Sequence, residues 1–260
     1  MKIVLILCSI AAVATAQGDT VSASLPIRRP IVRLVNGHRA ATGEFPFSGL
    51  LFGGGVMCSC TLIKADRVLT AGHCVASKQP GYVFFGSANR GDGNEVVNFY
   101  NDILLHPNYL SSGRQAGFDI AVLRLVRPYE LGKNINIAHL PTGPNNSFEG
   151  QLAWATGYGL VNNGQSPDYL MKAQMTVMDR NQCHRWYSAP NDDKLVCGKS
   201  QASICSGDSG GGLTLRNQGV WRVIGVASVK LVISSDGCNP VVPNGYVRVS
   251  EHLDFIKSVL

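Results

Sequence analysis

Apolar residues in this chain of 260 fall in short stretches rich in β-branched and aromatic side chains, each bounded by a cluster of turn formers. Residues 47–52, 61–63, 67–70, 82–85, 121–125, 152–156, 172–178, 220–228 and 245–249 have this character. Between them stand Gly53-Gly54-Gly55, Gly91-Asp92-Gly93, Pro141-Thr142-Gly143-Pro144 and Asn162-Asn163-Gly164. Branched and aromatic side chains pack well on a pleated surface, while Gly, Pro and Asn supply the backbone angles of turns. Many short strands with little else predict an all-β barrel or sandwich. Only residues 251–260 have a helical spacing, with Leu253, Ile256, Val259 and Leu260 on one face, and they predict a short C-terminal helix.

The N-terminal residues depart from this pattern. Lys2 is followed by an apolar run from Ile3 to Val13, interrupted by Ser9, and then by Ala14-Thr15-Ala16 before Gln17. A basic residue, an apolar core and a small-x-small site predict a secretory signal peptide over residues 1–16. The run is shorter than the ~20 helical residues that span a bilayer, and no later stretch reaches that length without charge. Secretion places the cysteines in an oxidising compartment, where they pair as disulfides. Residues 17–33 are polar, without amphipathic period, and end in Arg33-Leu34-Val35-Asn36-Gly37. The remainder, 34–260, is long enough for one or two domains with a sizeable core.

Charge adds little. The formal net charge is +6, but residues 1–33 hold Lys2, Arg28, Arg29 and Arg33 against Asp19, so the rest carries only +3. That balance does not point to nucleic acid or a membrane. No CxxC or HExxH spacing is present to hold a metal.

Three segments carry chemistry: Thr70-Ala71-Gly72-His73-Cys74, Phe118-Asp119-Ile120-Ala121-Val122-Leu123 and Gly207-Asp208-Ser209-Gly210-Gly211. A serine hydroxyl is a weak nucleophile at neutral pH. It needs an imidazole to take its proton, and the imidazole needs a partner to fix its tautomer. Ser209, His73 and Asp119 form one such set, in the order His, Asp, Ser. Gly207-x-Ser209-x-Gly211 also satisfies the nucleophile elbow of lipases and esterases, whose later partners would be Asp236 and His252. That elbow requires a strand, a turn and a helix, and Gly210-Gly211-Gly212-Leu213 is a poor helix start, so the esterase reading is the weaker.

In order and context the three segments resemble those of chymotrypsin/trypsin-type serine endopeptidases, and the chain is similar to secreted invertebrate chymotrypsin- and elastase-like enzymes. The resemblance runs from about Leu34 to the C-terminus. It implies two packed six-stranded antiparallel β-barrels with the site at their junction. It also implies that Ser209 attacks the scissile carbonyl, that His73 takes the proton and returns it to the leaving amine, and that Asp119 orients His73. The amides of Gly207 and Ser209 would face the oxyanion, and Ser228 would hydrogen-bond the buried Asp119. Residues 17–33 would be an activation peptide, cut after Arg33 by a trypsin-like protease. The freed Leu34 ammonium would pair with Asp208, although Leu34 stands where Ile or Val is commoner. Arg29 is a poor competing site because Pro30 follows it.

The cysteines agree with that family in spacing. The resemblance pairs Cys58 with Cys74, Cys183 with Cys197 and Cys205 with Cys238. With Cys8 in the leader, Cys60 is left over, either as a small buried hydrophobe or in an intermolecular disulfide. His106, in His106-Pro107-Asn108-Tyr109, reads as a surface-turn residue, and His38, His139, His184 and His252 belong to no motif. Asn145-Asn146-Ser147 is a glycosylation acceptor.

For specificity, the family position that holds an Asp in enzymes selecting Arg or Lys is here Ser203, followed by Ile204. A cationic side chain would enter without a partner and keep its desolvation cost, so an uncharged, apolar residue is expected before the scissile bond, in the manner of chymotrypsin or elastase. Asn244 stands where glycine commonly leaves room for a large ring, and Val229-Lys230 replace the family's usual Trp-Gly along the substrate strand. The resemblance implies protein or peptide substrates, an activating protease and protein inhibitors as partners. It implies a secreted monomer that needs no cofactor and no metal. A protease-fold binding protein without catalysis is the alternative, disfavoured because His73, Asp119, Ser209, Gly207 and Asp208 are all present.

Overall fold

Alternation of buried and exposed positions along the strands closes the chain into two antiparallel barrels. The computed structural model describes residues 37–111, 116–143, 147–160, 166–188, 194–229, 238 and 240–260. After β1 (His38–Arg39), the first barrel is built from β2 (Ser48–Gly53), β3 (Val56–Lys64), β4 (Arg67–Thr70), β5 (Gly81–Phe85), β6 (Val96–Leu105) and β7 (Ala121–Leu125), in the closed order β2-β3-β4-β7-β6-β5. The second uses β8 (Leu152–Gly157), β9 (Met171–Val177), β10 (Leu195–Lys199), β11 (Gly212–Asn217), β12 (Val220–Val229) and β13 (Asn244–Arg248), ordered β9-β10-β13-β12-β11-β8 and closed by β8 on β9. β1 pairs with β9 and so belongs to the second sheet.

Each barrel is filled by its inward residues. Leu51, Leu62, Leu69, Phe85, Tyr100 and Leu123 lie in the first, and Met171, Met175, Leu213 and Tyr246 in the second, all fully buried. Each such side chain contributes about 1.5–3 kcal/mol relative to exposure. The seam between the barrels is aromatic, with the Phe45 ring 5.8 Å from Trp154 and 5.2 Å from Trp221. It is also pinned by a 2.8 Å hydrogen bond between the hydroxyls of Ser48 and Thr156.

The nine strands expected from sequence all form, with ends displaced by a few residues at most sites. β1, β6, β10 and β11 lie outside the expectation: β1 has only two residues, apolar residues occupy both faces of β6, and glycines stand at Gly198 in β10 and at the start of β11. Two short helices, α1 (Pro107–Ser111) and α2 (Arg180–Trp186), also lie outside the expectation. Helix α2 buries Cys183 alone, so it has no apolar stripe to read. Its signal is Asp179, whose carboxylate caps the helix by accepting from the amides of Asn181 and Gln182. The C-terminal helix α3 (Leu253–Ser258) is present and is tied to the first barrel by Arg67 Nε, which donates to the Val259 carbonyl at 3.1 Å.

Candidate active site

His73 sits in a single 3-10 turn, Gly72–Val75, directly after β4. Asp119 lies two residues before β7, and β4 and β7 are neighbours with Thr70 opposite Ala121. That pairing brings the two flanking segments side by side. Asp119 Oδ1 accepts the backbone N–H of His73 at 2.7 Å, and Oδ2 faces His73 Nδ1 at 2.7 Å. Ser228, near the end of β12, donates its hydroxyl to the same Oδ2 at 2.6 Å. The Asp119 side chain is 7% exposed, whereas the His73 side chain is 38% exposed. Burial works against the imidazolium, but the hydrogen bond and charge of Asp119 outweigh it and hold the His73 pKa above its ordinary 6.5.

The Ser209 turn arises from the second barrel and is gripped by the first. Ser59 donates its N–H to the Ser209 carbonyl at 2.8 Å and its hydroxyl to the Gly207 carbonyl at 3.0 Å. From the other side, the Gly210 N–H donates to Ala227 O at 2.8 Å, one residue before Ser228. Gly207 and Gly210 have φ of +94° and +81°, the left-handed region that favours glycine. A Cβ on Gly210 would also stand 2.2 Å from Thr70 Oγ1. The glycine therefore lets the turn approach the segment that leads into His73. Behind the turn, the buried Asp208 carboxylate accepts the N–H of Gly159 on Oδ1 and of Cys205 on Oδ2, both at 2.8 Å.

A second polar cluster lies at Ser203 and Asn244. Both are essentially inaccessible, and Ile204 beside them is buried. Asn244 Oδ1 accepts the Ile204 N–H at 2.8 Å and the Ser203 hydroxyl at 3.2 Å, while Nδ2 donates to the carbonyls of Gly198 and Ala202, each at 3.3 Å. The amide is saturated by these bonds, which fixes its rotamer. These hydrogen-bond partners of Asn244 are all uncharged.

Comparison with known proteins bears on this arrangement. A family profile described as Trypsin matches residues 34–256. The chain belongs to the trypsin family. It is 34% identical to human chymotrypsin-like elastase family member 3B over 98% of this chain and 97% of that one. Its identity to bovine proproteinase E is 32%, covering 91% and 98% respectively. Among solved structures, a protein titled HL collagenase superposes with a TM-score of 0.74 at 30% identity, covering 86% of this chain and 97% of the other. This trypsin-family chain is a serine-type endopeptidase.

The structure bonds Cys58 to Cys74, Cys183 to Cys197 and Cys205 to Cys238, with Cα separations of 6.2, 5.5 and 5.2 Å. Cys60 is free and buried, and burial pushes its thiol well above the ordinary value. Among the described residues the metal-sized Cys/His group is Cys58, His73 and Cys74, whose two sulfurs are joined to each other. Arg33, Leu34, Asn145, Lys230 and Asp236 lie outside the described residues. Val229 ends β12, with its backbone opposite Gly245 of β13.

The chain after Ser209 enters strand β11 and not a helix, in agreement with the disfavoured esterase elbow. The readings of two histidines are refined. His106 is not a simple surface-turn residue, since it stacks on Phe118 with centroids 5.1 Å apart and packs against Phe255 and His252. His252, which belongs to no motif, is buried with Nε2 2.8 Å from the Gly117 carbonyl, close to Asp119 in the chain. Ser59 was missed altogether, because a serine beside two cysteines carries no local signal of its bonds to a turn about 150 residues away.

Proposed function

We propose that this endopeptidase works through an acyl-enzyme at Ser209, in a secreted protein made as a precursor and cut after Arg33. Ser209 Oγ attacks the scissile carbonyl carbon as its proton passes to His73 Nε2. The C–N bond breaks when that proton is delivered to the leaving amine, and water repeats the sequence to release the acid. The observation that carries this reading is the unbroken set of contacts from Ser228 through Asp119 to His73. It holds Nδ1 on the carboxylate, so that in this reading the proton transfer falls to Nε2, which lies 3.7 Å from Cys74 Sγ. The amides of Gly207 and Ser209 would receive the oxyanion, a role typically worth ~3 kcal/mol per donor.

Asp208 supports the activation step. A buried carboxylate held directly behind the nucleophile turn suits a new ammonium such as that of Leu34, and the pair would set the Gly207 amide. Similarity to a relative named as a proproteinase supports synthesis as a precursor. The uncharged Ser203–Asn244 base supports cleavage after apolar residues, as does similarity to a protein named as elastase-like. Asn145 is a glycosylation acceptor in this reading. The partners are protein substrates, a trypsin-like activator and protein inhibitors.

The test is to cleave the precursor after Arg33 and profile a peptide library varied at the residue before the scissile bond, with Ser209→Ala as control. Cleavage after Ala, Val, Leu or aromatic residues, absent in the control, is expected. Dominant cleavage after Arg or Lys would overturn the pocket assignment, and equal activity in the control would overturn the role of Ser209.

A further inference from the structure

A carboxylate can hold an imidazole in register only if its own backbone is held. Asp119 lies in neither a strand nor a helix; it follows one 3-10 turn, Ala116–Phe118, and stands two residues before β7. Two histidines outside the proposed triad grip this short segment on both sides of it. On the preceding side, His252 ends the turn Val249–His252 that follows β13, and its Nε2 lies 2.8 Å from the Gly117 carbonyl. A carbonyl oxygen can only accept, so Nε2 carries the hydrogen and donates it. The His106 ring stacks on Phe118, with centroids 5.1 Å apart. On the following side, the His106 N–H donates to the Ile120 carbonyl at 3.1 Å.

The two rings also brace each other. They meet edge to face at 4.9 Å, and Phe255 of α3 packs on His106 at the same distance. His252 is only 3% exposed. His106 Nδ1 accepts the Asn108 N–H at 3.1 Å, a bond that only the neutral ring can make. Burial lowers both pKa values, and the neighbouring Lys194, placed over the Phe118 ring, adds to the effect. The pair is therefore uncharged near neutral pH and acts by contact. Gly117, Phe118 and Ile120 are each held by one of these histidines. Asp119 is the residue left between them, and its carboxylate is taken up by His73 and Ser228.

From this placement we infer that His252 and His106 are positioning residues for the reaction. Through Gly117, Phe118 and Ile120 they fix the backbone on either side of Asp119, and so they set the alignment of its carboxylate with His73. The inference rests on the triad reading of Ser209, His73 and Asp119. The 2.7 Å bonds of Asp119 to the His73 N–H and to Nδ1 leave little tolerance for a shift of the segment that carries it. A misplaced carboxylate would loosen the ring that must take the proton, and small errors of placement in a reacting group are costly in rate. The clamp shares no residue with the Ser203–Asn244 cluster, so the cost falls on kcat and not on KM.

The activated protein is compared with His252→Phe, which keeps a ring without a donor, with His252→Gln, which keeps a donor, and with Asp119→Asn, at a temperature where thermal unfolding shows each of them folded. His252→Phe is expected to lower kcat about tenfold at nearly unchanged KM. It is also expected to move the acid-limb midpoint of kcat/KM down toward 6.5, because His73 owes its raised pKa to Asp119. His252→Gln is expected to recover most of both. His106→Leu, which removes the stack on Phe118 and keeps the backbone bond to Ile120, is the second probe should His252→Phe fail to fold, with an expected loss of about threefold in kcat. Folded His252→Phe and His106→Leu with native kcat and a native acid limb, even if they melt earlier, would reduce the pair to core packing and overturn the inference alone. A rise in KM without a fall in kcat would overturn it equally. Full activity in Asp119→Asn would overturn the triad reading and the clamp with it.

Discussion

Ser228 and His73 bind the same oxygen of Asp119, at 2.6 and 2.7 Å. The carboxylate that orients the base is therefore itself oriented from the opposite barrel. Ser228→Ala removes one hydrogen bond from a buried charge, and kcat is expected to fall about tenfold, or ~1.4 kcal/mol. Ser228→Thr, which keeps the hydroxyl, is expected to restore much of it. Asp119→Asn is expected to cost far more, on the order of 10⁴-fold, because it presents the wrong tautomer to Ser209. Steady-state kinetics on one peptide substrate orders the three.

His73 acts as a base only when neutral. Its pKa is held above 6.5 by Asp119, so the acid limb of kcat/KM against pH is expected to have its midpoint above that value. The same shift has a stability sign. The folded-state value exceeds the unfolded one, so the His73–Asp119 pair stabilises fully below the unfolded pKa and loses that contribution as pH rises through the folded value. A limb with its midpoint below 6.5 would contradict the assignment of His73.

His252 has the opposite sign. Burial, with His106 and Lys194 nearby, lowers its pKa from 6.5 to about 4. The unfolded chain then binds the extra proton first, so the contribution is present above about pH 6.5 and is lost as pH falls toward 4. The loss is on the order of 3 kcal/mol at most. Urea unfolding between pH 4 and 8 is expected to show this decline in the native protein and a flatter profile in His252→Gln.

Asn244 is proposed as a wall of the substrate pocket, and it is buried against Ser203 and Ile204. Asn244→Gly is expected to raise kcat/KM for Phe and Tyr relative to Ala and Val by about tenfold. It is also expected to destabilise the protein by ~1–3 kcal/mol, through the loss of bonds to Ser203, Ile204, Gly198 and Ala202. Peptide profiling and thermal unfolding measure the two effects separately.

Cys60 is buried and its thiol is held protonated by its surroundings. In protein lacking residues 1–16, and so Cys8, alkylation is expected to label the folded form slowly and the denatured form by one equivalent. Rapid labelling of the folded protein would place the thiol at the surface.

Much of this site was legible because its chemistry is local in sequence. His73, Asp119 and Ser209 each lie in a motif of a few residues, and the strands read at 67–70 and 121–125 place the first two motifs at strand ends. What was not legible depends on contacts between distant segments. Ser59, Met57 and Tyr158 acquire meaning from barrel closure, which sets them around Gly207. The strand β6 hides its period because Val97 and Phe99 are as apolar as the residues facing inward, and that irregularity is the same feature that makes the outer face of the barrel apolar. His252 carried no signal, since its partner is a backbone carbonyl that composition cannot reveal.

The grip of Ser59 on the Ser209 turn has a consequence for synthesis. A growing chain completes the first barrel, with His73 already facing Asp119, while the nucleophile is still unmade. Ser228, which donates to the Asp119 carboxylate, and Asn244, which bonds Ser203 and Ile204, emerge later still. The half of the reaction centre that forms early has a base and nothing to deprotonate. If the proposed roles hold, a nascent chain lacks its nucleophile until residue 209 of 260 has been added, so the order of the motifs alone delays assembly of the reaction centre.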